Sequence, residues 1–300
     1  MQNEKQIRSL VYLLDDPDPF IQQNVTSKLM EYGEKAVPLL DEQKYKTNDD
    51  AERNRIDQII HGITFDSLIS DYSELLDSGI DSVEKLEFAV FTLARLENPT
   101  LRIHDYIKKL DRFADILKDR VHHTITDEDR MNAVLDFIFT DLSFKGDTND
   151  YHNPNNAFMN RVVDRRKGLP ISLALIVIFI GYRLNEPFYG INLPIHFMLA
   201  YEGNKERILI DAFDSGKVVT YNQCYYFLKR NGVQPKPQYF NKAKNIAILA
   251  RCIRNLIHAY SKRNNILRIE NLQKLLEITD RAMHSESESQ SQSNTDSNSA

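Results

Sequence analysis

The sequence predicts an α+β fold that is mostly helical, with a buried central helix packed on a small antiparallel sheet. Three observations predict it. Helical periodicity runs through the N-terminal half to about Phe144, the segment from Ile171 to Ile180 is apolar on every side, and three short β-type runs follow between Phe188 and Phe213.

Taken in order, the first residues read as helix, turn, helix. Ile7, Leu10, Val11, Leu13 and Leu14 lie at helical spacing, Asp16-Pro17-Asp18-Pro19 turns the chain, and Gly33 closes a second run. Two short helices with LLDDPDP at their corner and VPLL behind them resemble one α-solenoid unit of the HEAT type over residues 1–48, although plain helices fit the same pattern. One such unit cannot bury its own face and is expected to dock on the domain that follows. Asn48-Asp49-Asp50 supplies a linker and a helix cap, opening the helical part of the core domain over 49–150. Within it Leu86, Val90, Leu93 and Leu96 form one stripe, and Met131 to Leu142 follow the acidic start Thr126-Asp127-Glu128-Asp129.

Residues 151–283 are expected to hold the mixed core and the C-terminal helices. The segment FKGDTNDYHNPNNAF is loop chemistry, dense in side chains that bond nearby backbone. Pro170 then opens the apolar run, whose Ile and Val content suits a strand but whose length and late Tyr182-Arg183-Leu184 favour a buried helix. Phe188 to Leu193, Phe197 to Tyr201 and Arg207 to Phe213 read as strands, and helices are expected near Asn222–Arg230 and Lys244–Lys262. From His284 to Ala300 no apolar anchor and no basic residue occurs, which predicts a flexible tail.

Composition narrows the function classes. The 300 residues are 42% hydrophobic and 27% charged, enough for a core that needs neither disulfide nor metal staples. With 38 Lys and Arg against 43 acids the net charge is −5, so no positive field draws the chain to nucleic acid. The longest apolar stretch, Leu173 to Ile180, is far below the ~18 residues of a membrane span. The N-terminus lacks the pattern of a secretory signal. Cys224 and Cys252 form no paired motif, which points to a reducing cytoplasm and two buried thiols rather than a zinc site. His122-His123 point in different directions on a helix end, and Tyr151 and His152 break the calcium-loop pattern that Asp147 begins. No glycine-rich nucleotide loop occurs, so neither a metal nor an organic cofactor is expected.

The chemistry-bearing residues lie in ISL and in HFMLAYEGNKERILID. If Gly203-Asn204 is a two-residue hairpin turn, His196 stands directly opposite Asp211, within reach of an imidazole-to-carboxylate hydrogen bond. Such a carboxylate orients a general base. Ser172 is the third residue of the helix that Pro170 opens, where free amides and the helix dipole favour developing negative charge. The chain order Ser172, His196, Asp211 permits a nucleophile, base and orienter. A blander reading makes Ser172 a helix cap and the other two a structural pair. Cys224 becomes an alternative nucleophile only if it faces His196. Arg165-Arg166-Lys167 suits a helix C-terminus, and Tyr225, Tyr226 and Phe227 suit core or groove lining.

The strings DYHNPNNAFMN, RRKGLPISL, GINLPIHFML and LIDAF, in that order, resemble the SirB family of transglutaminase-like proteins over roughly Val83 to Ile278. The resemblance implies a papain-like, transglutaminase-type core with a nucleophile helix packed on an antiparallel sheet that carries His and then Asp. It implies Ser172 at the position of the superfamily's catalytic Cys, with His196 and Asp211 completing the triad. It also weakens catalysis, because a thiol forms an ion pair with imidazole far more readily than a serine hydroxyl does. Asn156, Asn160 and Asn192, each inside a family-like motif, are candidate oxyanion or cleft donors, with turn and capping duty as the competing account. Ile195 stands where the family usually has Gly, placing a branched side chain beside the base, and Ala212 where it usually has Pro. Two functions follow as expectations: a non-catalytic scaffold that binds a protein or peptide partner, or an amide hydrolase or acyltransferase using Ser172, His196 and Asp211.

Overall fold

Asp18 starts the second helix by accepting a hydrogen bond from the Phe20 amide, Pro19 occupies the first helical position, and Gly33 ends the helix with φ +59°. The computed structural model describes residues 2–204 and 206–296. Contacts divide the chain into two units, 1–74 and 75–300. The first unit contains α1 (Gln2–Tyr12), α2 (Pro19–Tyr32), α3 (Val37–Lys46) and most of α4 (Asp50–Asp77). Asp49 caps α4 by accepting from the Ala51 amide at 2.9 Å. Ile7, Val11, Leu14, Val25, Leu29 and Leu40 share one core with Ile56, Ile59 and Ile63 of α4. The unit therefore extends past residue 48, because α4 supplies part of the apolar face that α1 to α3 need.

The second unit opens with α5 (Val83–Thr92), α6 (Ile103–His122) and α7 (Asp127–Asp136). Ser82 and Thr126 cap α5 and α7 through their side chains. The chain then runs through β1 (Lys145–Gly146), α8 (Met159–Arg165), β2 (Lys167–Gly168), α9 (Pro170–Arg183), β3 (Phe188–Ile191), β4 (Met198–Glu202), β5 (Arg207–Asp211) and β6 (Lys217–Val219). It finishes with α10 (Tyr221–Arg230), α11 (Asn245–Ser261) and α12 (Ile266–Asp296). The fold is mostly helical, with a four-stranded antiparallel sheet in the order β3-β4-β5-β6. The two-residue parallel pair of β1 with β2 is too short to leave a periodic signal in the sequence.

Every residue of α9 from Pro170 to Gly181 is buried, which explains why the run is apolar all round. It packs on one face of the sheet, where Gly181 lets the Phe188 ring approach; a Cβ at 181 would stand 2.6 Å from that ring. The opposite face carries Tyr189, Ile191, Met198, Ala200 and Leu209, which cluster with Cys224 and Leu228 of α10. The sheet is thus covered on both faces by helices.

The hairpin register differs from the sequence expectation. Leu199 pairs with Ile210 and Glu202 with Arg207, so the ladder is displaced by two residues and a four-residue loop replaces the two-residue turn. Gly203 does not adopt the positive φ that a tight turn requires; its amide donates to the Glu206 carbonyl, and the Asn204 amide donates to Asp127 at 2.7 Å. The anchor on α7 fixes a longer loop than the sequence pattern implies. A second difference concerns the tail expected over 284–300: α12, anchored by buried Leu272, Leu275 and Thr279, continues through Asp296, since propagation of a packed helix needs no new nucleus. Residues 297–300 of that expected tail lie outside the described residues. Among the described residues no helix is long and apolar enough to cross a membrane.

Candidate functional site

Ser172 lies on the first turn of α9 and is buried. Its hydroxyl donates to the Asn156 carbonyl at 2.8 Å, beside the Leu169 amide, which donates to the same oxygen at 3.0 Å. Asn156 is itself a knot in the loop ahead of α8. Its Nδ2 donates to the Asp150 carbonyl at 2.7 Å, and its Oδ1 accepts from Arg165 at 2.9 Å, while Arg165 also pairs with Asp147. The loop's dense Asp and Asn content thus closes on itself and holds the start of α9.

His196 and Asp211 meet elsewhere. His196 Nε2 donates to Asp211 Oδ1 at 3.0 Å, and the Phe213 and Asp214 amides donate to the same oxygen at 2.9 and 3.3 Å. Continuing the observed register sets Asp211 level with Met198, so His196 reaches it diagonally rather than directly across. Both residues extend the face of Met198 and Leu209, the face covered by α10. They line a cavity of about 220 Å³ with Cys224 and Phe227 of α10, and the Phe227 ring stands 5.9 Å from the imidazole. Ser172, on the helix that covers the other face, does not line this cavity, and no hydrogen bond joins it to His196 among the described residues.

Of the other expected donors, Asn160 is buried with its Oδ1 unpartnered, and Asn192 accepts from Arg251. Neither they nor Asn156 line the His196 cavity. Ile195, immediately before His196, takes φ +69°, a left-handed conformation rare for a branched residue and natural for the glycine that the family pattern has there.

Burial pushes the Asp211 carboxyl upward, but the hydrogen bond and charge of His196 and the two backbone amides outweigh it and hold the group below its ordinary value. Asp211 is therefore a carboxylate near neutrality. Burial and then the Asp211 charge push the Cys224 thiol up, so the sulfur that faces the same cavity is a poor thiolate. Cys252 is fully enclosed and pushed up to about 12. Among the described residues no group of three or more His, Cys, Asp and Glu side chains is arranged to hold a metal ion.

The sequence reads Phe227 only as core or groove lining, and Arg251 escapes it. Phe227 belongs to the cavity because Gln223, Cys224 and Phe227 share one face of α10, a spacing that was available as a signal. Arg251 interrupts the apolar stripe of α11, stacks on the Phe197 ring at 5.6 Å and donates to the Leu193 carbonyl at 2.7 Å, fixing the loop that leads into His196. Burial lowers its guanidinium from the ordinary value.

Comparison with known proteins shows the family. A family model described as "Transglutaminase-like superfamily" matches residues 104–254. The chain is 29% identical over 213 residues to a UPF0162 protein of Vibrio cholerae, covering 70% of this chain and 76% of that protein. It is 35% identical over 146 residues to F-box only protein 21 of Homo sapiens, covering 46% of this chain but 22% of that protein. Protein SirB1 of Salmonella typhimurium is 24% identical over 166 residues, 55% of this chain and 60% of that protein. No solved structure matches.

Proposed function

The chain belongs to the transglutaminase-like superfamily, and we propose that its core is a non-catalytic, regulatory scaffold that binds a protein or peptide partner. One observation carries this reading. The Ser172 hydroxyl is spent on the Asn156 carbonyl beneath one face of the sheet, while the His196–Asp211 pair opens on the other. A general base must reach the proton that it removes, and here the base and the hydroxyl have separate partners. The thiol that does share the base's cavity is shifted toward its neutral form.

The alternative is an amide hydrolase or acyltransferase using Ser172, His196 and Asp211. It is supported by the imidazole itself, which is oriented by a carboxylate through Nε2 and leaves Nδ1 for another partner. The free buried cysteines, Cys224 and Cys252, support a cytoplasmic setting.

The two readings separate in one assay pair. Incorporation of a fluorescent amine into a glutamine-containing peptide, and hydrolysis of the same peptide amide, are measured for the wild type, Ser172→Ala and His196→Ala. The scaffold reading expects all three at the uncatalysed rate. A wild-type rate above background that both substitutions abolish would overturn it.

A further inference from the structure

Strand β3 is an edge of the sheet, and part of its outer side is open. The Glu202 amide donates to the Pro187 carbonyl, so the alternation of an antiparallel ladder turns the backbone groups of Phe188 and Gly190 away from β4. Two of those four groups are used. The Phe188 amide donates to the Glu186 carbonyl at 2.8 Å, and the Gly190 carbonyl accepts from the Ala243 amide at 2.8 Å. The other two, the Phe188 carbonyl and the Gly190 amide, make no hydrogen bond among the described residues, although both residues are buried. A buried donor and acceptor left open in this way call for a partner.

Both residues line a cavity of about 850 Å³ bounded by β3, the end of α4 and the loop after it, the start of α11, and α12. Ile80, Leu86, Ile178 and Ile248 give it an apolar floor. Its cations, Lys242 and Lys244, flank Ala243, where the edge of β3 closes. Lys242 makes no salt bridge among the described residues, and its ammonium lies 5.5 Å from the Tyr189 ring. The acids on the lining, Asp77 and Asp81, come from the end of α4 and the loop after it, and Asp81 is paired with Lys85 at 2.8 Å.

We propose that this cavity captures the C-terminus of a partner peptide, whose last residue adds to the edge of β3. A residue whose amide donates to the Phe188 carbonyl and whose carbonyl oxygen accepts from the Gly190 amide runs parallel to β3. The residue after it would meet Ala243, which already stands beside Gly190, so the peptide ends there. Its terminal carboxylate then accepts from the Gly190 amide and faces Lys242 and Lys244. A peptide running the other way would bring its N-terminal side to the same two cations. Side chains alternate along an extended chain, so the terminal one lies on the Tyr189 face and the penultimate one falls on the apolar floor. No residue of this cavity lines the one beside His196, so the inference goes beyond the scaffold reading and stands whether or not that pair is catalytic.

The probe is fluorescein-labelled Gly-Ser-Gly-Leu-Ala with a free carboxylate, titrated with the full chain at pH 7 and read by fluorescence anisotropy. Saturable binding is expected. It should weaken at least tenfold when the C-terminus is amidated, when the last peptide nitrogen is methylated, or when the leucine is replaced by serine. Ala282→Trp, on the half-buried wall that α12 supplies, fills the cavity and should abolish binding. Because that variant could disturb packing, Lys242→Met is the second: the residue is exposed, and its loss should weaken the acid while leaving the amidated peptide unchanged. Absence of saturable binding, equal binding of acid and amide, or indifference to the methylated nitrogen overturns the proposal. Equally tight binding of a peptide extended beyond the alanine would assign the edge to internal segments instead, and a concentration-dependent dimer that Ala282→Trp disrupts would assign it to a second copy of this chain. Either result overturns C-terminal capture.

Discussion

The Ser172 hydroxyl donates to the Asn156 carbonyl at 2.8 Å, an oxygen that the Leu169 amide also uses. This bond ties the first turn of α9 to the loop before α8. Removing it in Ser172→Ala leaves the carbonyl one donor and a small buried gap, so unfolding free energy should fall by about 1 kcal/mol, as for a neutral buried hydrogen bond. Ser172→Cys tests the position from the other side. A thiol installed there should react with iodoacetamide no faster than Cys252, because its site is buried and lies outside the cavity that His196 lines. Rapid, His196-dependent alkylation would show that the residue reaches the pair.

Asp211 holds three donors on one oxygen, and its stability contribution follows the sign of its shift. The folded-state value lies below the ordinary one, so the carboxylate stabilises the fold fully above the unfolded value, and this gain is lost as pH falls through the folded value. Asp211→Ala should cost about 2 kcal/mol at pH 7, since two amides and the imidazole lose a charged acceptor. The difference from wild type should shrink below pH 4, which paired denaturant titrations at pH 7 and pH 3 measure. A difference that grows on acidification would contradict the assigned bonds.

Some of this was legible in the sequence for identifiable reasons. The segment after Pro170 suits a strand by its Ile and Val content, but its length favours the buried helix that forms there. The His196–Asp211 contact survived a wrong register because side chains alternate with period two. The two-residue displacement kept both residues on one face, and a diagonal reach replaced the direct one. The loop length was not legible, since its anchor is Asp127, far away in sequence. Nor was the face that Ser172 occupies, because chain order says nothing about which helix covers which side of a sheet.

Ile195 carries strain that glycine would relieve. At φ +69° a branched residue costs roughly 1–2 kcal/mol, whereas the extra unfolded-state freedom of glycine costs roughly 0.4–1 kcal/mol. The side chain is 54% exposed, so little packing is lost. Ile195→Gly should therefore stabilise the chain by roughly 0.5 kcal/mol and raise the melting temperature. Ile195→Val, equally branched, should not. A lower melting temperature for the glycine variant would mean that the isoleucine side chain makes a contact worth more than its strain.

Glu87 of α5 reports on the core rather than on the cavity. It is buried against Arg183, which lies 3.0 Å away and also binds Asp111 at 2.7 Å. Burial pushes its carboxyl up, and although Arg183 opposes this, the value reaches about 7. The folded chain then binds a proton between about pH 4.5 and 7 that the unfolded chain has released, so stability declines as pH rises through that window. Glu87→Gln removes the titration and leaves Arg183 its bond to Asp111. Relative to wild type the variant should gain on the order of 2 kcal/mol between pH 5 and pH 8, at about 1.4 kcal/mol per unit. Urea midpoints at the two pH values decide it. A variant whose deficit is the same at both, or larger at pH 8, would show that the Arg183 charge holds Glu87 ionised in spite of its burial.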